Sequence, residues 1–495
     1  MARGLRKTAF DQSSYDYWKA RYGVVNVKDY GAVGDGVHDD TAAIQAALDS
    51  GAADVYLPPG TYSTSQTLAV NGNTRFHGQS SARSGINYSG AGSAILVAEG
   101  VHNVVVCDVS VSYTGTPTSG GAIEIADDVV SVRVDNVYTY GGYNGIQVGF
   151  QCNTVYIQNV YVTGTYAGLY CQSGADVANS VFRGSQVALQ LDSTSGAFNC
   201  DQSAFYGPLG MWTTNSKNIA TAINEGIWMW NCQFNLESGT SPSGTSQNVY
   251  LQYWGGEVHF FGCWATGAVL GLQTGEAVYG TPFLEVVGGS WSGFEFSYVG
   301  NPDNTQGVVL NGVNIEGPGN GTAISIANNT EWFIVKGCII RGFTNGIVIP
   351  SLAGAVNGPY IFSDNIFTSV GTILSVGQSQ FYGTATFRNN AGYNPIGVIT
   401  PPASPLASGT TYQNLSMVPI TIYQPAYAST SGTAGSVAVA LGSSSSPSTL
   451  YTDLIDAGTT STSPRILPPL RVPPGWYYSF TATGATLATA TIQGE

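Results

Sequence analysis

The sequence predicts an all-β protein: a right-handed parallel β-helix of about twelve coils, with an N-terminal capping helix and a C-terminal β-sandwich-like domain. Composition is the first ground, since only 9% of the 495 residues are charged, against about 25% in an ordinary globular protein. Hydrophobic residues reach 43% and aromatics 12%, which excludes a disordered acidic chain. The 64 glycines follow no strict three-residue period, which excludes collagen. The second ground is a repeat. Short runs of alternating Val, Ile, Phe and Tyr are each broken by Asn or Gly, at Asp108, Asn136, Asn159, Asn179, Gln202, Asn231, Gly262, Gly288, Asn311, Gly337, Asp364 and Asn389. Eleven intervals separate the first marker from the last, a mean near 25.5 residues. That suits one coil of a parallel β-helix and not a propeller blade of ~40–45 residues. A repeat also lets 495 residues form one long body rather than three domains.

Residues 1–23 form a distinct leading segment. Arg3, Arg6, Lys7, Lys19, Arg21 and Lys28 are six of only sixteen cations, and Tyr15, Tyr17 and Trp18 lie among them. No apolar stretch of 7–15 residues follows the basic ones, so no signal peptide is expected. No run of about 18 apolar residues predicts a transmembrane helix.

Residues 24–100 are expected to hold the cap and the first coils. Asp39, Asp40 and Thr41 would supply N-cap oxygens to a short helix whose Ile44 and Leu48 share one face. That helix would cover the open strand edge of the first coil.

Residues 101–399 are the rod. With a period of two, Val155 and Ile157 point the same way as Asn159. Taking the aliphatics as inward makes Asn136, Asn159, Asn179 and Asn231 a buried amide ladder. The position after each marker should also point inward, where Cys232, Cys263 and Cys338 would stack as reduced core residues. The seven cysteines are odd in number and contain no CxxC pair, so neither a disulfide framework nor a zinc site is expected.

Residues 400–495 open on the proline-dense boundary Pro401-Pro402-Ala-Ser-Pro405 and carry five charges, Asp453, Asp456, Arg465, Arg471 and Glu495. Alternation over 418–423 and 436–441, and a turn at Pro473–Tyr477, predict a small β domain that serves trimerisation or glycan binding.

The segment Tyr30-Gly-Ala-Val-Gly-Asp35-Gly-Val-His-Asp39-Asp40-Thr41, running on to Leu48 and followed by Val55–Tyr62, resembles the N-terminal capping motif of the pectate-lyase-like superfamily of right-handed parallel β-helices. Followed by about a dozen coils and a Ser/Thr-rich end, it looks like a viral, bacteriophage-type tailspike. The resemblance implies a homotrimer in the virion, extracellular in its working position and synthesised in the host cytoplasm. It also implies that residues 1–23 attach to a virion tail or baseplate protein, and that the spike binds, and often cleaves, host surface polysaccharide.

Chemistry is sought on the outward positions before each marker. They collect Asp176, Asp201, Trp228, Trp230, Glu257, His259 and Glu285 on successive coils. Glu257 and Glu285 fall one coil and two residues apart, roughly 8 Å between Cα atoms, compatible with an inverting glycosidase pair. These two, with Asp201, are the candidate catalytic residues. His259, predicted beside Glu285, and the tryptophans Trp228, Trp230, Trp254 and Trp264 are candidate substrate-binding residues, because aromatic faces stack on sugars. The bland alternative is intersubunit packing and solvated surface.

Gly-His-Gly and Arg-Ile-Lys, which mark the polygalacturonase branch, are absent. The rod's few cations serve an acidic substrate poorly, so hydrolysis is expected rather than lyase chemistry. No cofactor is expected, and the four histidines show no metal-ligand spacing. A net charge of −14 argues against nucleic acid. Three readings remain: a spike that binds host glycan and can hydrolyse it, a purely adhesive spike, and a free secreted polysaccharide hydrolase. So few charges also leave little pH-linked stability to lose, which predicts tolerance of strong acid.

Overall fold

The computed structural model describes residues 23–216, 226–239, 247–267, 270–297, 307–327, 332–349, 359–376, 385–392, 406–414 and 419–494. The proposed attachment segment lies almost wholly outside these residues. The chain divides into two compact units, one ending at Gln306 and including Val313–Pro318, the other formed by Gly307–Gly312 and Gly319–Glu495. Both contain coils of a parallel β-solenoid, about 11 turns in all.

In the first unit, strand Val24–Asn26 pairs in parallel with Asp54–Leu57, which pairs with Arg75–Gly78, which pairs with His102–Cys107. The predicted helix is Thr41–Leu48, and it buries Ile44, Ala47 and Leu48. Gln45 completes its covering role. The side chain donates from Nε2 to Ala69 O at 3.1 Å and accepts from Ala69 N at 2.9 Å, so one amide replaces a missing neighbour for strand Leu68–Val70.

The N-cap expectation needs correcting. Asp40 stands at the N-cap but makes no capping bond. Its fully buried carboxylate instead accepts from Val33 N at 2.7 Å and Gly34 N at 3.0 Å, tying the preceding turn to the helix. Gly34 is required there. Its φ is +73°, and a Cβ would lie 2.8 Å from the Tyr62 ring. Asp39 does cap locally, and the Ser65 and Thr41 hydroxyls that donate to it hold its carboxyl down to about 2.

The marker series turns out to be a series of corners. Asp108, Asn136, Asn159, Asn179, Gln202 and Asn231 all have φ between 47° and 58°, and Gly262, Gly288, Gly337, Asp364 and Asn389 are also left-handed. At the ninth coil the corner is Gly312, one residue beyond Asn311. Left-handed backbone favours Gly, Asn and Asp, which explains the composition of the series.

The expected buried amide ladder is therefore wrong at these positions: Asn159, Asn179 and Asn231 are exposed and Asn136 is half-buried. Alternation holds only while the chain stays extended, and a left-handed residue breaks it, turning the marker outward. The next residue points inward as predicted. Val109, Val137, Cys232, Cys263, Cys338 and Asn365 are fully buried. A true amide ladder occurs here, where Asn365 Nδ2 donates to Asn390 Oδ1 at 2.9 Å and Asn390 Nδ2 to Phe362 O at 3.0 Å.

All seven cysteines are buried and none forms a disulfide. Inside the first unit, Phe182, Phe205 and Phe234 stack on consecutive coils with centroids 5.5 and 5.4 Å apart.

The C-terminal part contains a four-stranded antiparallel sheet in the order Thr411–Gln413, Tyr477–Thr483, Gly435–Gly442, Ser448–Ile455, with two three-stranded sheets. Val437, Val439, Ile422, Leu470 and Phe480 belong to one shared core. The predicted turn is present, with Gly475 at φ +75°.

Candidate functional site

One sheet of the first unit carries the candidate residues. Its strands run up to the corners, and parallel register aligns the residue three before each corner: Tyr156 with Asp176, Asp176 with Asn199, Asn199 with Trp228, Trp228 with His259, and His259 with Glu285. Their chain neighbours Val155, Ile157, Val177, Phe198, Met229, Val258 and Val286 are buried, so these side chains project from the outer face.

The structure brings His259, Glu257 and Glu285 together. His259 Nδ1 lies 3.0 Å from Glu285 Oε2, and Nε2 lies 3.3 Å from Glu257 Oε2. The imidazole is 10% exposed, against 59% for Glu257 and 27% for Glu285. The ring thus sits low on the sheet with a more accessible carboxylate at each edge. Two hydrogen bonds and one ring set the carboxylate oxygens roughly 8 Å apart, within the ~6.5–9.5 Å of an inverting pair. Because the carboxylates occupy opposite edges, the three groups do not converge on a point, and no metal-binding cluster occurs among the described residues.

Three aromatic rings surround the imidazole. Trp228 stacks on it with centroids 5.8 Å apart and planes 8° from parallel, and Phe261 stacks at 5.7 Å and 11°. Phe283 meets it edge-on at 5.5 Å. Trp230 stacks on Phe261 at 6.0 Å in the neighbouring column. These contacts restrict the ring to one plane, which fixes where both nitrogens point.

Other candidates lie apart. Asp201 pairs in register with Trp230, which pairs with Phe261, so it stands two coils, about 10 Å, from the histidine's strand. Its Oδ1 is buried with no hydrogen-bond partner among the described residues. Trp264 follows the corner at Gly262 and belongs to strand Trp264–Thr266 on the adjacent sheet, where it is 52% exposed. The side chain of Trp254 lies outside the described residues.

Sequence reasoning passed over Phe261, Phe283, Tyr156 and Asn199. The last two share the −3 register position of His259 and Glu285 and were discoverable by it. Among the described residues of the first unit, two cations of this face are paired: Arg75 lies 3.4 Å from Asp54, and Arg133 lies 3.0 Å from Asp135.

Residues 24–237 match the family described as rhamnogalacturonase A/epimerase, pectate lyase-like. This span contains Trp228 and Trp230 and stops short of Glu257, His259 and Glu285. The chain is 36% identical over 131 residues, 24% of its length, to mannuronan C5-epimerase AlgE1 of Azotobacter vinelandii. It is 47% identical over 55 residues, 10% of its length, to plasmin and fibronectin-binding protein A of Streptococcus pneumoniae. The alignments span only 9% and 8% of those proteins. Among solved structures, tailspike protein 3 of bacteriophage CBA120 has a TM-score of 0.46 at 14% identity, covering 84% of this chain and 69% of that one. The A-module of mannuronan C5-epimerase AlgE6 from Azotobacter vinelandii scores 0.43 at 16% identity, covering 75% of this chain and 99% of the module. No helix among the described residues is long and apolar enough to cross a membrane.

Proposed function

We propose that the protein is a virion spike of the tailspike type that binds a neutral polysaccharide of the host surface and hydrolyses it with Glu257 and Glu285. The observation that carries this reading is the His259 imidazole held between two carboxylates on an outward sheet face, under the Trp228 ring. An aromatic face beside paired carboxylates suits a sugar ring, which stacks through its apolar side and hydrogen-bonds through its hydroxyls. A neutral ligand is favoured because Arg75 and Arg133 are engaged by Asp54 and Asp135, which leaves uronate carboxyls poorly served.

In the hydrolysis, protonated Glu285 gives its proton to the glycosidic oxygen as the carbon–oxygen bond breaks. Glu257, the more exposed carboxylate, takes a proton from the water that attacks the anomeric carbon from the opposite face. The products are two shorter chains with the new reducing end inverted, and proton exchange with solvent restores both groups. His259 acts as a positioning residue. In this reading the spike is a homotrimer, carried on the virion through residues 1–23.

The test is reducing-end release from host envelope glycan by wild-type protein and by Glu257→Gln and Glu285→Gln variants. Each variant should lose about 10²–10⁴-fold in rate. Cleavage at the wild-type rate by either one removes the catalytic assignment. Glycan retention without any wild-type cleavage makes the protein an adhesive spike, and its absence from purified virions by mass spectrometry removes the viral role.

A further inference from the structure

The carboxylate cluster occupies the later coils of its sheet, and earlier coils of the same face sink into a hollow of about 460 Å3. Its origin is in the backbone. Gly174 and Gly196 line it where two strands approach closely, since a Cβ on Gly174 would lie 2.5 Å from Ala197 O, and the register between strands Ala167–Ala178 and Val187–Asp201 shifts from Cys171 to Ala175. Such a bulge re-aims the strand and opens space beside it. On the coil before, the chain reaches the hollow through Gln151 at φ 56° and Thr154 at φ 59°. Asp128 at φ 59° and Ser131 at φ 61° hold the same positions one coil earlier, so Gln151 and Thr154 are corners of the repeat that set the rim of the hollow.

The walls carry recognition chemistry. Asn199 Nδ2 donates to Asp176 Oδ1 at 2.8 Å, leaving Asp176 Oδ2 and the Asn199 amide oxygen without a protein partner among the described residues. Both accept from hydroxyl donors. Tyr156, 45% exposed, offers a ring on the adjacent coil. The Asp176 carboxylate disfavours an anionic ligand, and Arg133, next to Tyr156 in register, is held by Asp135.

We propose that this hollow is a second subsite for a neutral, hydroxyl-rich linear glycan whose other end lies against Trp228 and the Glu257–His259–Glu285 cluster. The assignment rests on the polysaccharide reading above and adds to it a minimum ligand length. Tyr156 and Glu285 are five coil steps apart in one register column, about 24 Å. A short fragment fills one end only, whereas a chain of several sugar residues engages both and gains from linked binding.

The experiment begins with an array of neutral polysaccharides and uronate polymers. The neutral polymer that wild-type protein binds is then cut to a size ladder, and fragments are titrated by calorimetry. Affinity should step up at the length that spans both ends. Tyr156→Ala and Asn199→Ala should each weaken long fragments by at least about tenfold and leave short ones within about twofold, while Trp228→Ala weakens both classes. Unchanged affinity for long fragments in both hollow variants overturns the subsite, as does an equal loss at every length or binding confined to uronate polymers. A wild-type protein that retains no polymer on the array overturns the polysaccharide reading itself, and the subsite with it. Melting temperature checks that the variants fold.

Discussion

His259 and Glu285 are backbone register partners on adjacent coils, and the imidazole Nδ1 lies 3.0 Å from Glu285 Oε2. The other ring nitrogen faces Glu257 at 3.3 Å, so one shielded side chain orients two more exposed carboxylates. A His259→Gln variant donates from a single nitrogen and cannot hold carboxylates at two opposite edges. On the hydrolase reading its kcat should fall on the order of 10²-fold, the cost of a misplaced catalytic group, with KM within about twofold. Steady-state kinetics on cleaved glycan checks this, and a rise in KM alone would show that the ring contacts ligand instead.

The left-handed corners predict an unusual order of stabilities. Asn159 is exposed and sits at φ 55°. Both Asn159→Gly and Asn159→Ala lose its 2.9 Å hydrogen bond to Asp135, so the difference between them isolates the backbone. The glycine variant should be the more stable by about 1 kcal/mol in urea unfolding. An alanine variant of equal or greater stability would remove conformation as the reason for the marker series.

The stacked core sets a larger effect. Phe205 is fully buried between Phe182 and Phe234. Phe205→Ala should cost about 3–5 kcal/mol, because the rings above and below belong to strands held in a ladder and cannot collapse into the space. Denaturant titration reads this directly, and a cost under 1 kcal/mol would mean the coils relax freely.

Acid stability is less assured than low charge alone suggests. Asp192 is fully buried. Burial pushes its pKa up, but donors from Ser216, Tyr170 at 2.5 Å and Thr214 at 2.9 Å outweigh this and hold it below the ordinary carboxylate value. Its contribution is therefore complete above the unfolded pKa near 3.9 and is lost as pH falls through the lower folded value. The melting temperature should be flat from pH 8 to 5 and fall below pH 4. Asp192→Asn should melt lower at neutral pH and show a shallower acid slope. A wild-type profile flat to pH 2 would restore the simpler expectation.

The repeat was legible because coil stacking imposes one corner, one inward residue and one outward column at a fixed spacing, and each favours its own residue types. Cys232, Cys263 and Cys338 could be placed in the core from that spacing alone. The Glu257, His259 and Glu285 juxtaposition was legible for the same reason, since parallel register converts positions relative to a corner directly into neighbours. Asn159 and its equivalents were misassigned because Asn suits both a buried amide ladder and left-handed backbone, and residue type does not distinguish them. Trp264 was grouped with Trp228 by proximity in sequence, but the corner at Gly262 puts it on another sheet.

By itself, then, the sequence determined the solenoid, its period and the column that gathers the carboxylates, which follow from local alternation and a repeated break, and the capping helix, which follows from the i, i+4 spacing of Ile44 and Leu48. Only the tertiary structure decided that Asp40 ties a turn instead of capping, that one imidazole bridges both glutamates, and that a register shift near Gly174 and Gly196 opens a hollow beside Asp176 and Asn199. Those features depend on φ angles, bulges and side-chain directions, which arise when coils pack against each other and leave no trace in a single strand's pattern.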